Sequence, residues 1–284
     1  MPSYKIINFL REYAVLILII LLMIILSIAS DAFLSPRNLL NILNQNAPLA
    51  IIAAALTLCI IAGGFDLSTA SIFGVASCAA AWIAVNIDPY LGLFMAPIIG
   101  IILGYINGVL ITSLGVHSFL ATIATSLIYR GVAILITGGF LIPVRMQEFI
   151  WLGRGKFYGI HYTVFILIVF SIIMTIILNR TSFGRNVFAV GGNEEASKLS
   201  GIRVNLITIS TFALTGFAAG IAGAIQVSRI SLGQPQAGLG MELQAIAAVI
   251  LGGTSIYGGE GAVWRSVAGV MVLALINNGF NILN

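Results

Sequence analysis

The sequence predicts an all-α, polytopic integral membrane protein with about nine transmembrane helices, and three observations carry that expectation. Of the 284 residues, 60% are apolar and only 8% are charged. Mean hydropathy is +1.10. Soluble domains carry about 25% charged residues, and an exterior with so few charges cannot be solvated by water. The apolar residues are also gathered into runs of bilayer length, about 20 residues for a helix. Nine such runs leave about ten residues per connection, so residues 1–284 are expected to form a single transmembrane domain.

The first run, Tyr13 to Ala29, follows Lys5 and Arg11 and leads into Ser30. It exceeds the core of a secretory signal, about 7 to 15 residues, and is read as a retained anchor with Met1 to Glu12 in the cytoplasm. The next five are Ala47 to Ala62, Leu67 to Val85, Leu91 to Ser113, His117 to Thr137 and Thr163 to Leu178. Asn205 to Val227, Glu242 to Ile256 and Val263 to Ile282 follow, the eighth being short and broken by Gly252-Gly253 and Gly258-Gly259. Small residues recur inside the runs, as from Ala76 to Ala81 and from Gly216 to Gly223. They let helix backbones approach closely where no hydrophobic effect drives packing, so these faces are expected to meet other helices. Asn281 to Asn284 ends without a basic tail, and a tenth span is expected beyond it.

Orientation follows from the loops. With the N-terminus inside, Lys5, Arg11, Arg180, Arg185, Lys198, Arg203 and Arg265 fall on the cytoplasmic side, against Arg37, Arg145, Arg154, Lys156 and Arg229 outside. The positive-inside rule favours that arrangement in a bacterial inner membrane.

The same inventory excludes several functions. A formal charge of +4 scattered along the chain gives no basic face for nucleic acid. Cys59 and Cys78 lie inside apolar runs, and His117 and His161 have no ligand-spaced partner, so neither a disulfide framework nor a metal site is expected. No activated-nucleophile motif and no phosphate-cradling loop is present. No catalytic residue and no cofactor is therefore expected, and any ATP must be bound by another chain.

Residues 180–204 form the long hydrophilic connection. Asn193 is a suitable N-cap, Glu194 and Glu195 occupy a first turn, Lys198 lies toward the end, and Gly201 can adopt the left-handed stop. The pattern predicts a helix of about seven residues, well short of the roughly 12 to 15 that are marginal alone in water. It must be held by the ends of the chain's own spans or by a groove on a cytosolic partner. Near or within the spans stand Asp66 and Arg130, each of which needs a partner or water. Asp66 is placed to cap the third span through its carboxylate or to face a transport path. Arg130 is placed to make an ion pair or carbonyl contact, with Gly131 admitting a neighbouring backbone, or to line the path. Asn107 and Asn278, each in an Asn-Gly pair, offer amides either to a solute hydroxyl or to a neighbouring helix. A faint internal echo links Ala53-Ala54-Ala55-Leu56 before Gly63-Gly64 with Ala247-Ala248-Val249-Ile250 before Gly252-Gly253.

Several motifs together resemble a known family, the permease subunits of ATP-binding-cassette importers for monosaccharides such as ribose, galactose and the sugar-derived autoinducer-2. They are Gly63 to Ser68, Asn107 to Ile111, Phe119 to Thr122 with Tyr129-Arg130-Gly131, Gly184 to Ile202, and Glu242 to Ala248 through Gly252-Gly253-Thr254-Ser255. His117-Ser118 stands where members often carry Pro-Pro or Pro-Ala. The resemblance implies that the cytoplasmic stretch docks into an ATPase subunit through Gly184, Arg185, Asn186, Gly191, Gly192, Asn193, Glu194, Glu195, Ser197, Lys198, Leu199 and Gly201. It further implies a periplasmic or extracellular sugar-binding protein and a second permease copy around a central path in the lipid bilayer, with Asp66, Asn107, Arg130 and Asn278 as candidate path residues. The competing readings are an ion-coupled secondary transporter, an oligomeric channel, and an importer permease for a branched-chain amino acid or nucleoside.

Overall fold

The computed structural model describes the backbone of residues 2–283 and the side chains of residues 13–282. Met1, Asn284 and the side chains of the expected cytoplasmic tail, Lys5 and Arg11 included, lie outside the described residues. In chain order the elements are α1 (Pro2–Ala29), α2 (Pro36–Ile61), α3 (Thr69–Asn86), α4 (Pro89–Leu114), α5 (Ser118–Thr137), β1 (Ile142–Pro143), α6 (Gln147–Arg154), β2 (Lys156–Phe157) and β3 (Ile160–His161). Then come α7 (Tyr162–Arg180), α8 (Ser182–Gly192), α9 (Glu194–Leu199), α10 (Val204–Ile230), β4 (Leu232–Gly233), α11 (Met241–Leu251) and α12 (Val263–Leu283). Among the described residues the strands form two short antiparallel pairs, β1 with β4 and β2 with β3.

Each of the nine expected runs coincides with a helix over most of its length, but the eighth, Glu242 to Ile256, outlasts α11, which stops at Leu251 where the Gly252-Gly253 pair turns the chain. Among the described residues, α2, α3, α4, α5, α7, α10 and α12 are long and apolar enough to cross a membrane, and the apolar part of α1, Tyr13–Ala29, and α11 are shorter. At 1.5 Å per residue α11 reaches about 16 Å, roughly half a bilayer core.

Helix α2 is the axis of the bundle: every residue from Ala47 to Ile61 is buried, so it is apolar all round, as a fully enclosed helix must be. It also starts eleven residues before the expected Ala47, because the polar run that reads as a break is helical. Ser35 caps it, accepting from Asn38 N at 3.3 Å, with Pro36 in the first turn. The amides then find partners across helices: Asn38 and Asn278 exchange two side-chain bonds at 2.9 and 3.1 Å, and Thr163 donates to Asn44.

The small-residue stretch of α10 packs on α4 as expected. Cβ atoms added at Gly100 and Gly216 would each lie 2.1 Å from the other's carbonyl oxygen, and one at Gly104 would lie 2.2 Å from that of Phe212. Contact this close is available only without side chains. The echo between halves is real in backbone terms. Helix α2 closes with Ala62 N to Leu58 O, Gly63 N to Ile60 O and Gly64 N to Cys59 O, and α11 repeats this with Gly252 N to Ala248 O, Gly253 N to Ile250 O and Thr254 N to Val249 O. Gly63 and Gly253 both take the left-handed conformation, φ 87° and 81°.

Candidate functional site

At the end of the bundle where α2 finishes, the connection after α7 is fully structured. The expected short helix is α9, six residues long, with Asn193 Oδ1 accepting from Ala196 N at 2.9 Å and Gly201 at φ 81° just beyond. Lys198 Nζ lies 2.6 Å from Glu194 Oε1, both side chains more than half exposed. Ser197 is the inward contact. Glu194, Glu195, Lys198 and Leu199 face outward, Leu199 at 90% exposure.

The sequence reading did not anticipate α8. Three glycines in eleven residues read as loop, since glycine costs about 1 kcal/mol in a helix. Two of them are required by close approach: a Cβ on Gly184 would sit 1.9 Å from Leu178 O, and one on Gly191 1.6 Å from Ile61 O. Thr181 caps α8, accepting from Gly184 N at 3.2 Å, and Gly184, Val187 and Val190 form its buried face, while Arg185 points outward and donates to Ser182 Oγ at 2.8 Å. Asn186 is half-buried and Gly192 is exposed with open space around it. A cleft of about 400 Å³ runs beside α9, lined by Gly63, Gly64, Ser118, Glu194, Lys198 and Asn205 among others.

Deeper in the bundle, the motifs around Asp66, Asn107, Thr122 and Tyr129 converge in one buried polar network. Asp66 Oδ1 accepts from Ser68 N at 2.9 Å and Ser68 Oγ at 2.5 Å, and Oδ2 accepts from Thr215 Oγ1 at 2.7 Å. Asn107 Nδ2 donates to Ser68 Oγ at 2.6 Å, and Tyr129 Oη donates to Asn107 Oδ1 at 2.9 Å. Ser118 and Thr122 accept from Phe65 N and Leu67 N at 3.0 and 3.1 Å. The N-cap of α3 is Ser68 rather than Asp66. Two residues upstream, the Asp66 carboxylate reaches the N-cap's own N–H in an Asx-type turn and then bridges to α10. Ser68 and Tyr129 were marked from sequence only as members of motifs, and Thr215 was not marked at all; a buried carboxylate demands donors, but nothing local says that one comes from residue 215.

Arg130 makes the expected carbonyl contacts. Its Nη1 donates to Pro235 O at 2.7 Å and Ala237 O at 2.9 Å. The glycine that admits the guanidinium is Gly74 rather than Gly131: a Cβ on Gly74 would lie 2.8 Å from Arg130 Nη1, while Gly131 has no atom within 4 Å of that position. The side chain reaches across to α3, so room is needed there and not on its own helix. Asn278 sits at the opposite end of the bundle from α9, bonded to Asn38, on a cleft of about 540 Å³ lined by Asn44, Gln45, Asn46, Arg229, Asn277 and Asn281 among others.

These features define a class: a multi-pass α-helical membrane protein with a structured helical element at one end of the bundle and an amide-lined cleft at the other. The family described as branched-chain amino acid transport system / permease component matches residues 38–284, and the chain belongs to that permease family. It is 40% identical over 266 residues to the ribose import permease protein RbsC of Bacillus subtilis, covering 93% of this chain and 83% of that protein. It is 38% identical over 279 residues to RbsC of Escherichia coli, covering 96% and 87%. With the L-arabinose transport system permease protein AraH of Escherichia coli it shares 33% identity over 275 residues, covering 96% and 84%. No solved structure matches the chain.

Proposed function

We propose that this chain is the membrane-spanning permease of an ATP-binding-cassette importer that carries a monosaccharide, a pentose or hexose, into the cytoplasm, with ATP hydrolysed by a separate subunit. It works as a multi-pass bacterial inner-membrane protein with its N-terminus and α8–α9 in the cytoplasm, crossing the bilayer about nine times. Its partners are the ATPase, an external sugar-binding protein and a second permease copy. The observation that carries this reading is α9: a short helix with Ser197 buried and Glu194, Glu195, Lys198 and Leu199 presented outward, on a chain whose relatives bear the names of ribose and arabinose permeases.

The mechanism is linkage. ATP-driven closure can change the permease only through contacts that differ between its two states; α8–α9 offers an outward surface through Arg185, Gly192, Asn193, Glu194, Glu195, Lys198, Leu199 and Gly201, while Gly184, Asn186, Gly191 and Ser197 serve coupling by seating the element against the rest of the permease. At the far end, Asn278 and its amide neighbours present donors and acceptors suited to sugar hydroxyls as the binding protein delivers them. Arg130 braces the segment before α11, and Asp66 and Asn107 hold the walls of the path.

An ion-coupled transporter needs an intramembrane acid free to bind its ion. Both oxygens of Asp66, the acid that the sequence singles out for that role, are already engaged by protein donors, so Asp66 is not free to take it. The test is uptake of radiolabelled monosaccharides into vesicles carrying the permease with its cognate ATPase and binding protein. Accumulation that requires ATP supports the proposal, and accumulation driven by a proton or sodium gradient without the ATPase rejects it.

A further inference from the structure

The coupling end holds a feature that docking alone does not use. The last turn of α8, the end of α2 and the turn between α11 and α12 meet backbone to backbone. Gly259 N donates to Ile61 O at 2.9 Å. A Cβ on Gly191 would lie 1.6 Å from the same Ile61 oxygen and 2.7 Å from Gly259 N, and one on Gly258 would lie 2.8 Å from Gly191 O. Ile61 O is thus shared between a hydrogen bond from one element and van der Waals contact with another. No flexible side chain stands between the three segments, so there is nothing to absorb a relative shift; close-packed backbone transmits displacement. Of the two helix ends that match bond for bond, α2 with its left-handed Gly63 enters this meeting directly through Ile61, and α11 with its left-handed Gly253 leads into it through the turn that carries Gly258 and Gly259.

We propose that Gly191, Ile61 and Gly259 form a backbone joint that delivers motion of the α8–α9 element to the ends of α2 and α11 together. The proposal rests on the reading that α8–α9 docks on the ATPase. Gly191 is a positioning residue in this scheme: it touches neither sugar nor nucleotide, and its lack of a side chain keeps the three segments in register. A Cβ at this position separates the segments while leaving the outward face of α9 unchanged, so it should uncouple transport without undocking the ATPase.

The experiment uses the assembled permease and ATPase with the external binding protein. Gly191→Ala should retain the ATPase on co-purification but lower ATP-dependent sugar uptake by about tenfold, within the usual range of coupling effects. ATP hydrolysis in that complex should no longer respond to sugar-loaded binding protein. Uptake within about twofold of wild type, or loss of ATPase co-purification, would overturn the joint, the latter because it moves Gly191 into the docking surface. Failure of the docking reading would show instead as Glu194→Lys with Glu195→Lys leaving co-purification intact. Should Gly191→Ala fail to accumulate, spin labels at Ala189→Cys and Tyr257→Cys in the otherwise native joint decide the matter. Their separation should be the same in nucleotide-free and ATP-bound complexes, and a changed separation would contradict a joint that moves as one body.

Discussion

Pro48 and Arg229 meet through a carbonyl that belongs to neither. Pro48, inside α2, has no N–H to give to the carbonyl four residues back. That carbonyl is Asn44 O, and Arg229 Nη1 donates to it at 3.1 Å while Nη2 donates to Gln226 Oε1 at 2.7 Å. A proline in the central helix of a membrane bundle is tolerated because a cation at the end of α10 replaces the missing donor.

This pairing makes the first prediction a double-mutant cycle. Arg229→Leu leaves Asn44 O without a donor and should cost about 1–3 kcal/mol. Adding Pro48→Ala restores the helical N–H, so the double variant should be more stable than Arg229→Leu alone in thermal unfolding of the purified protein in detergent. Strictly additive losses would remove the proposed compensation.

The second concerns Arg130. Arg130→Leu leaves Pro235 O and Ala237 O without their donor, and should lower stability by about 1–3 kcal/mol and disrupt assembly or transport. Gly74→Val should reproduce the defect by pushing the guanidinium away. Arg154→Leu should change stability by less than about 1 kcal/mol, since Arg154 is exposed and donates to one carbonyl, Arg229 O. Equal losses in Arg130→Leu and Arg154→Leu would show that the internal contacts are not special.

The third tests the buried network. Thr215→Val is close in shape but leaves Asp66 Oδ2 without its donor, and should destabilise by about 1–3 kcal/mol, as expected for an orphaned buried acceptor. Tyr129→Phe, which removes one donor to Asn107, should cost about 1 kcal/mol. Unfolding midpoints unchanged in both variants would mean that the network contributes nothing to stability.

Topology supplies the fourth. From sequence alone, Ser197 and Gly155 look like suitable labelling sites for the two faces, but Ser197 is buried and a Cβ on Gly155 would lie 2.4 Å from Trp151 O. Leu199 and Tyr158, 90% and 91% exposed, serve instead. A thiol reagent that cannot cross the membrane should label Tyr158→Cys from outside and Leu199→Cys only after the cytoplasmic face is opened. External labelling of Leu199→Cys in intact cells would invert the orientation.

Much of the fold was legible in the sequence because in lipid the apolar run is the dominant signal and its length is set by the bilayer. Each of the nine runs overlaps a helix, the eighth only as far as Leu251, and Asn193, Glu194, Glu195, Lys198 and Gly201 marked α9 through local rules of capping and dipole. The misses share one cause, partners far away in sequence. Asn38 and Asn44 read as a break in α2 because Asn278 and Thr163 are not visible beside them. Gly184 and Gly191 read as loop because nothing nearby announces the carbonyls of Leu178 and Ile61. Asp66 was legible as a residue that needed donors, but Thr215 was not legible as one of them.

The measurement closest to the central claim is the charge reversal of α9. The helix's own Glu194–Lys198 pair is exposed and contributes little, since solvated pairs are worth about 0–1 kcal/mol. Glu194→Lys with Glu195→Lys should therefore leave the permease folded and inserted at wild-type abundance. It should also weaken co-purification of the ATPase and abolish ATP-dependent sugar uptake in vesicles. Wild-type abundance with normal co-purification and normal uptake would contradict the account, because α9 would then be no more than a solvated turn at the membrane surface.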